Sequence, residues 1–223
     1  MEKIINIAID GPSGAGKSTI AKRVSKELGF IYVDTGALYR TVGLNVLRLG
    51  LDTKNSEQVI STLADVKVSL RFVNGEQRVF LGEEDVSEAI RQNEVSMAAS
   101  NVSAVPEVRA FLFDLQRDIA GNNSCLMDGR DIGTVVLPDA QIKIFLTASA
   151  EARAQRRFIE LEQRGQTVDF NTLLEEIKLR DYQDSHRETA PLKQAEDAVL
   201  VDTTEYGLEE AVDLVLATVK ERL

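Results

Sequence analysis

Residues Gly11-Pro12-Ser13-Gly14-Ala15-Gly16-Lys17-Ser18 match the pattern G-x-x-x-x-G-K-[ST]. They stand between an apolar run, Ile4 to Asp10, and a helical pattern, Thr19 to Leu28, that stops at Gly29. A strand, a glycine-rich turn and a helix in that order constrain the fold first, because such a loop works only where a strand delivers it to a helix N-terminus. Successive backbone N–H groups and the positive end of the helix dipole then converge on an anion. In this reading the stretch from Gly11 to Thr19 surrounds the phosphates of a nucleoside triphosphate. Lys17 reaches the β- and γ-phosphates, and the Ser18 hydroxyl holds a Mg²⁺ ion bridging them. Glycines are required where the backbone approaches phosphate at angles a β-carbon forbids.

The rest of the chain supplies the sheet that such a loop needs. Short apolar runs recur at Phe30–Asp34, Cys125–Asp128, Ile142–Leu146 and Ala198–Asp202, separated mostly by helical patterns, which predicts a parallel α/β sheet of five strands. Pro106 opens one helix, with Val108, Leu112, Leu115 and Ile119 as its core stripe; Leu208 opens the last, continued by Val212, Val215, Leu216 and Val219. Ligands of open parallel sheets bind at the carboxyl ends of the strands, where the loop, Asp34, Asp128 and Asp202 all fall. One segment breaks the alternation. Val66, Val68, Leu70 and Phe72 alternate with polar residues, Asn74-Gly75 supplies a tight turn, and Arg78 to Leu81 returns, predicting an antiparallel hairpin. It marks an inserted lobe at about residues 38–94.

Composition narrows the partners. A 223-residue chain that is 43% hydrophobic can bury one substantial core with an elaboration, so a single domain over 1–223 is expected. The net charge of −10 repels polyanions, and aromatic content of 5% without basic interleaving argues against a nucleic-acid surface. Any anion site must be concave and local. The single cysteine, Cys125, excludes an internal disulfide and reads as a buried structural thiol; no apolar stretch is long enough to cross a bilayer. A cytoplasmic monomer acting on small molecules is expected.

The arginines are grouped. Arg153, Arg156 and Arg157 share one face of the helix after the fourth strand, Arg180, Asp184 and Arg187 can share another, and Gly129-Arg130-Asp131 ends a central strand. Planar guanidinium forks suit an enzyme that must gather several phosphate charges. His186, the one histidine, reads as a surface residue rather than a base.

Five blocks, Asp10 to Ser18, Asp34-Thr-Gly-Ala-Leu-Tyr-Arg40, Asp128-Gly-Arg-Asp-Ile-Gly-Thr-Val-Val-Leu-Pro138, Arg180-Asp-Tyr-Gln-Asp-Ser-His-Arg187 and Ala195 to Thr203, give the chain a resemblance to bacterial cytidylate kinases along nearly its whole length. The resemblance implies a three-layer P-loop kinase fold: a five-stranded parallel sheet, an inserted lobe that binds a nucleoside monophosphate, and a short helical lid at about 153–168. It further implies ATP as donor, with Mg²⁺, and CMP or dCMP as acceptor. Position by position, Arg40, Arg130 and Arg187 would hold the acceptor phosphate. Ser100, Arg109 and Asp131 would read cytosine, Arg180 and Asp184 would contact ribose, and Arg153 and Arg157 would lie on the lid. Thr35 stands where some members carry Ser, which keeps the hydroxyl. Two other readings share the loop: a kinase for UMP, AMP or shikimate, and a nucleotide-dependent switch or ATPase module with no small acceptor. The second leaves the arginine clusters unexplained.

Overall fold

A computed structural model of the chain describes residues 3–73, 76–163 and 165–223. In chain order the elements begin β1 (Asn6–Asp10), α1 (Lys17–Leu28), β2 (Ile31–Asp34), α2 (Thr35–Arg48), α3 (Ser56–Ser61), β3 (Val68–Val73), β4 (Glu76–Leu81) and β5 (Glu84–Asp85). They continue with α4 (Asn93–Ser103), α5 (Pro106–Asn122), β6 (Cys125–Gly129), β7 (Ile142–Thr147), α6 (Ala150–Gln163), α7 (Phe170–His186), β8 (Val199–Asp202) and α8 (Leu208–Lys220). The five expected strands form one parallel sheet in the order β2-β6-β1-β7-β8, and β3-β4-β5 form a separate sheet. The chain leaves β1 in both directions along this order, making the end of β1 a topological switch point, where α/β sheets bind ligands.

By internal contacts the chain divides into two compact units: Ile31–Cys125 with the chain start to Ile4, and Ile5–Phe30 with Leu126–Leu223. The second carries the phosphate-loop sequence. Its strands are apolar on both faces because helices cover both, and Ile7, Ile9, Ile142, Ile144 and Leu146 are all but completely buried. Each such side chain contributes roughly 1.5–3 kcal/mol by leaving water. In this unit β1 pairs with β7 from Ile7↔Ile142 to Asp10↔Phe145, and β7 pairs with β8 from Ile144↔Val199. α8 buries Val212, Val215 and Val219 and packs against α1, as its stripe predicts. α1 starts at Lys17, two residues before its apolar pattern. Gly16, at φ 86°, turns the backbone, and the Ile20 N–H bonds its carbonyl at 3.0 Å. Lys17 and Ser18 therefore belong to the first helical turn. The stop at Gly29 is as expected, with φ 70° and the Phe30 N–H returning to the Ser25 carbonyl.

In the first unit α2 is the spine. Leu38, Val42 and Val46 pack with Val59, Val102, Val105, Val108 and Leu112, while Ala37 and Leu44 meet Val79, Val86, Ile90 and Val95. The insert expected at 38–94 lies inside this unit, which runs on to Cys125 because α4 and α5 close over α2. The hairpin is present in antiparallel register from Val68↔Leu81 to Val73↔Glu76, and β5 adds a short third strand at Phe80↔Asp85. Its Asn74-Gly75 turn lies outside the described residues. The segment 153–168 spans most of α6 and the connection to α7, of which Arg164 is likewise outside; Phe158 meets Phe170 edge-on at 6.0 Å.

Candidate active site

The loop between β1 and α1 is shaped by its glycines and by what lies behind them. A β-carbon at Gly11 would run into the Leu146 carbonyl, so only glycine lets the chain leave the sheet here. Gly14, at φ 76°, rests on the aliphatic stem of Arg153: an added β-carbon would lie 3.4 Å from that residue's Cβ. Lys17 turns back along the loop, its Nζ donating to the Pro12 carbonyl at 2.8 Å, and its side chain is buried. Burial, then the nearby Arg130 charge, pushes its pKa down to about 7 against the pull of Asp128, Asp10 and Asp184. A buried ammonium held this way is poised for an incoming anion.

Two carboxylates organise the strand ends. Ser18 donates its hydroxyl to Asp128 Oδ2 at 2.9 Å, joining the first turn of α1 to the end of β6. Asp10 is buried and accepts backbone N–H bonds from Ile132 at 2.8 Å and Gly133 at 2.7 Å; burial nevertheless pushes it up to about 6. Those N–H groups open a wide helical turn in which Val136 and Leu137 reach back five residues, to the carbonyls of Asp131 and Ile132. Asp10 thereby fixes the segment that presents Arg130 and Asp131. Among the described residues no group of three or more His, Cys, Asp or Glu could hold a metal alone. The Ser18 and Asp128 oxygens nonetheless fit a hard cation that completes its shell with phosphate oxygens and water, as Mg²⁺ does.

Along α7 the charges interlock. Arg130 Nε donates to Asp184 Oδ2 at 2.9 Å, and Arg187 Nη2 lies 3.8 Å from Asp131 Oδ1; Asp131 and Asp184 are both buried. Burial alone would raise Asp184, but Arg130, Arg180 and Arg187 hold its pKa below the ordinary value. Arg187 ends the helix and donates Nε to the carbonyl of Ala190 at 2.7 Å; Ala190 has a positive φ of 48°, an unfavourable conformation for alanine. Arg180, on α7, is half-buried. Of the expected acceptor residues, the structure thus brings Arg130, Asp131, Arg180, Asp184 and Arg187 into one mutually interacting group.

The three arginines of α6 part company. Arg156 bonds the carbonyls of Thr203 and Tyr206 after β8 and ties down that loop, while Arg157 reaches Glu160 on its own helix at 2.8 Å. Arg153 is buried, and its guanidinium is engaged by the Ser13 and Ala148 carbonyls and by both oxygens of Asp181. The family resemblance puts Arg153 and Arg157 on the lid; the Arg153 guanidinium is turned to protein groups of the phosphate loop and α7.

The remaining expected contacts belong to the first unit. Asp34 caps α2 through the Ala37 N–H at 3.0 Å and binds Arg40 Nη2 at 2.7 Å, with Thr35 buried at the helix start. Ser100 lies on α4, and Arg109, on α5, sits 5.5 Å from the Tyr39 ring and bonds the Ser103 carbonyl. Elsewhere His186 is exposed and stacked on Tyr182 at 4.0 Å, and burial pushes the Cys125 thiol up to about 12, which keeps it protonated and a poor nucleophile. Sequence reading assigned no role to Asp10, Asp128 or Asp181. Asp10 and Asp128 end apolar strands beside the loop, and that position is the available signal; Asp181 carries none beyond adjacency to Arg180.

Comparison with known proteins identifies the family. Among solved structures, shikimate kinase from Bacteroides thetaiotaomicron superposes with a TM-score of 0.50 over 98% of each chain at 12% identity, a likeness of fold alone. The chain is 53% identical over 214 residues to a cytidylate kinase of Caldicellulosiruptor saccharolyticus, covering 96% of this chain and 95% of the relative. It is 48% identical over 222 residues to one of Streptococcus pneumoniae, covering 99% and 100%. The family model for cytidylate kinase matches residues 7–221, nearly the full length that carries the loop, the Asp128–Asp131 segment and α7. This chain belongs to the cytidylate kinase family.

Proposed function

We infer that this chain transfers the γ-phosphoryl group of ATP to CMP and dCMP, giving ADP and CDP or dCDP. The observation that carries this reading is the buried group of Arg130, Asp131, Asp184 and Arg187, electrostatically joined to Lys17 of the phosphate loop. A loop alone provides for a donor. A second set of guanidinium forks, held by carboxylates at the strand ends, provides for an anionic acceptor.

In the proposed mechanism the acceptor needs no base, because a phosphate monoester oxygen is already anionic at neutral pH. The chain's task is to bring two anions together in line. Backbone N–H groups from Gly11 to Thr19 orient the donor phosphates, and Lys17 leaves the Pro12 carbonyl for the β- and γ-phosphates. Arg130 and Arg187 hold the acceptor phosphate, Arg180 and Asp184 hold ribose, Asp131 reads cytosine, and Arg157 neutralises donor charge from the lid. Thr35, Arg40, Ser100 and Arg109, in the first unit, keep as proposals the acceptor roles that the family resemblance gives them. Mg²⁺, held through Ser18 and Asp128, would neutralise charge developing between the β- and γ-phosphates. No helix among the described residues is long and apolar enough to cross a membrane; a cytoplasmic monomer acting on small molecules, with neither membrane nor nucleic-acid partners, belongs to the same proposal.

A coupled ADP-release assay with ATP and Mg²⁺, run against CMP, dCMP, UMP, AMP and no acceptor, tests the reading. Strong stimulation by CMP and dCMP is expected. Equal stimulation by UMP or AMP would move the assignment to another acceptor, and ADP release indifferent to every acceptor would make the chain an ATPase module.

A further inference from the structure

We propose that Asp181 is a positioning residue of the donor site, acting through Arg153 to hold the phosphate loop in its binding conformation. The inference rests on the kinase reading above and assigns Arg153 a task other than direct contact with a phosphate.

Arg153 makes four donor contacts within the protein. Nε donates to the Ala148 carbonyl at 2.9 Å, and Nη1 donates both to the Ser13 carbonyl at 3.0 Å and to Asp181 Oδ1 at 2.9 Å. Nη2 takes the other Asp181 oxygen, completing a two-point fork between guanidinium and carboxylate. The Arg153 side chain is 4% exposed and that of Asp181 28%, so the guanidinium is shielded from water and its geometry is set by these partners.

What the fork fixes is a peptide plane. The Ser13 carbonyl and the Gly14 N–H belong to one trans peptide and point in opposite directions. Drawing the carbonyl toward Arg153 therefore turns the Gly14 N–H away from it. Gly14, at φ 76°, lacks a β-carbon and can swing either way at little cost, so the fork has to supply the orientation. Without the fork this peptide can flip, which would aim a carbonyl instead of an N–H at the donor phosphates.

Asp181 makes the arrangement more than a local brace. On α7 it stands one turn before Asp184, which holds Arg130, and the spacing of three puts both carboxylates on one side of the helix. A shift of α7 therefore reaches the donor loop through Asp181 and Arg153, and the acceptor arginine through Asp184. Arg153→Lys keeps a cation and a stem but cannot make the fork. Asp181→Asn keeps the size but replaces one acceptor oxygen with a donor.

The test compares the parent, Asp181→Asn and Arg153→Lys as full-length chains, with Arg23→Gln, which removes an exposed ion pair to Glu209, as a control. kcat, the KM values for ATP and CMP, and thermal midpoints are measured. Displacing a donor group should lower kcat about 10- to 100-fold in both variants, with the KM for CMP changed far less. The variant Arg153→Met/Asp181→Asn should lose no more than Arg153→Met alone, since the two residues act as one unit. A lowered midpoint with parent-like kcat in the folded fraction would reduce the pair to a structural brace and overturn the proposal. Should Asp181→Asn fail to fold, Arg153→Lys decides by the same criterion. A parent without acceptor-dependent ADP release would sink the kinase reading instead, so the two failures are distinguishable.

Discussion

The surroundings of the β3-β4-β5 sheet and the strand ends around the phosphate loop use the same charged residue types in opposite ways. In the first, Arg71 pairs with Glu83 and Arg48 with Glu84 at the surface, with Glu83 91% and Glu84 56% exposed. In the second, Arg153 and Asp181, Arg130 and Asp184, and Arg187 and Asp131 meet where water is largely excluded. Surface pairs contribute little, because solvent screens them and long side chains lose entropy in meeting. Buried pairs carry a desolvation cost that only good geometry offsets, and a hydrophobic substitute would often be as stable. The comparison teaches where to look for chemistry. A chain that keeps buried charge where apolar packing would serve the fold is keeping it for a ligand.

That contrast can be broken at its strongest point first. Lys17→Met should lower kcat about 10²- to 10³-fold, in the range of removing one preorganised donor to transition-state charge. The ligand-free variant should melt no lower than the parent at pH 7, since the lost ammonium was disfavoured by burial. A variant that phosphorylates CMP at the parent rate would remove Lys17 from the mechanism.

Next in size is the Arg130–Asp184 pair. Arg130→Met leaves Asp184 buried without its main partner, and urea denaturation at pH 7 should show a loss of about 3–5 kcal/mol. A loss within experimental scatter would mean that the buried pair behaves like the surface ones.

Smaller effects should appear with pH. The folded Lys17 has a lowered pKa, so between pH 7 and about pH 10 the unfolded chain binds more protons there, and this group's contribution to stability rises with pH. Asp10, raised to about 6, acts oppositely, losing stability as pH climbs from about 4 to 6. The stability gap between Lys17→Met and the parent should therefore be widest near pH 7 and close toward pH 10. ATP binding near pH 8 should take up protons as phosphates restore the lysine charge, measurable by calorimetry in buffers of different ionisation enthalpy. A pH-independent gap would place Lys17 in contact with water. At the bottom of the scale, Arg71→Gln should leave both the melting midpoint and kcat unmoved; a clear drop in either would give the surface pairs a role that their exposure denies.

Much of this was legible in the chain. The phosphate loop, the five strand runs, the helix stop at Gly29 and the helix start at Pro106 follow from local rules that need only neighbours in sequence. The arginine clusters pointed to an acceptor, but their assignment on α6 depended on more than spacing. Arg153, Arg156 and Arg157 share a helical face, yet they reach the phosphate loop, the loop after β8 and a glutamate of their own helix. Helical periodicity reports direction around an axis and carries no information about what another element brings to that side. Asp10 and Asp128 read as strand-end residues; that one accepts two N–H bonds from residues more than a hundred positions away, and the other holds Ser18, depends on sheet order.

The sequence by itself determined a strand, a loop of permitted glycine conformations and a helix N-terminus, because those are set by sterics and hydrogen bonding within a few residues. Only the tertiary structure decided which charges became buried partners. Arg153 meets Asp181 because α7 packs against α6, and Arg130, just past the end of β6, meets Asp184 on the same helix; pairing across such separations is fixed by packing rather than by pattern.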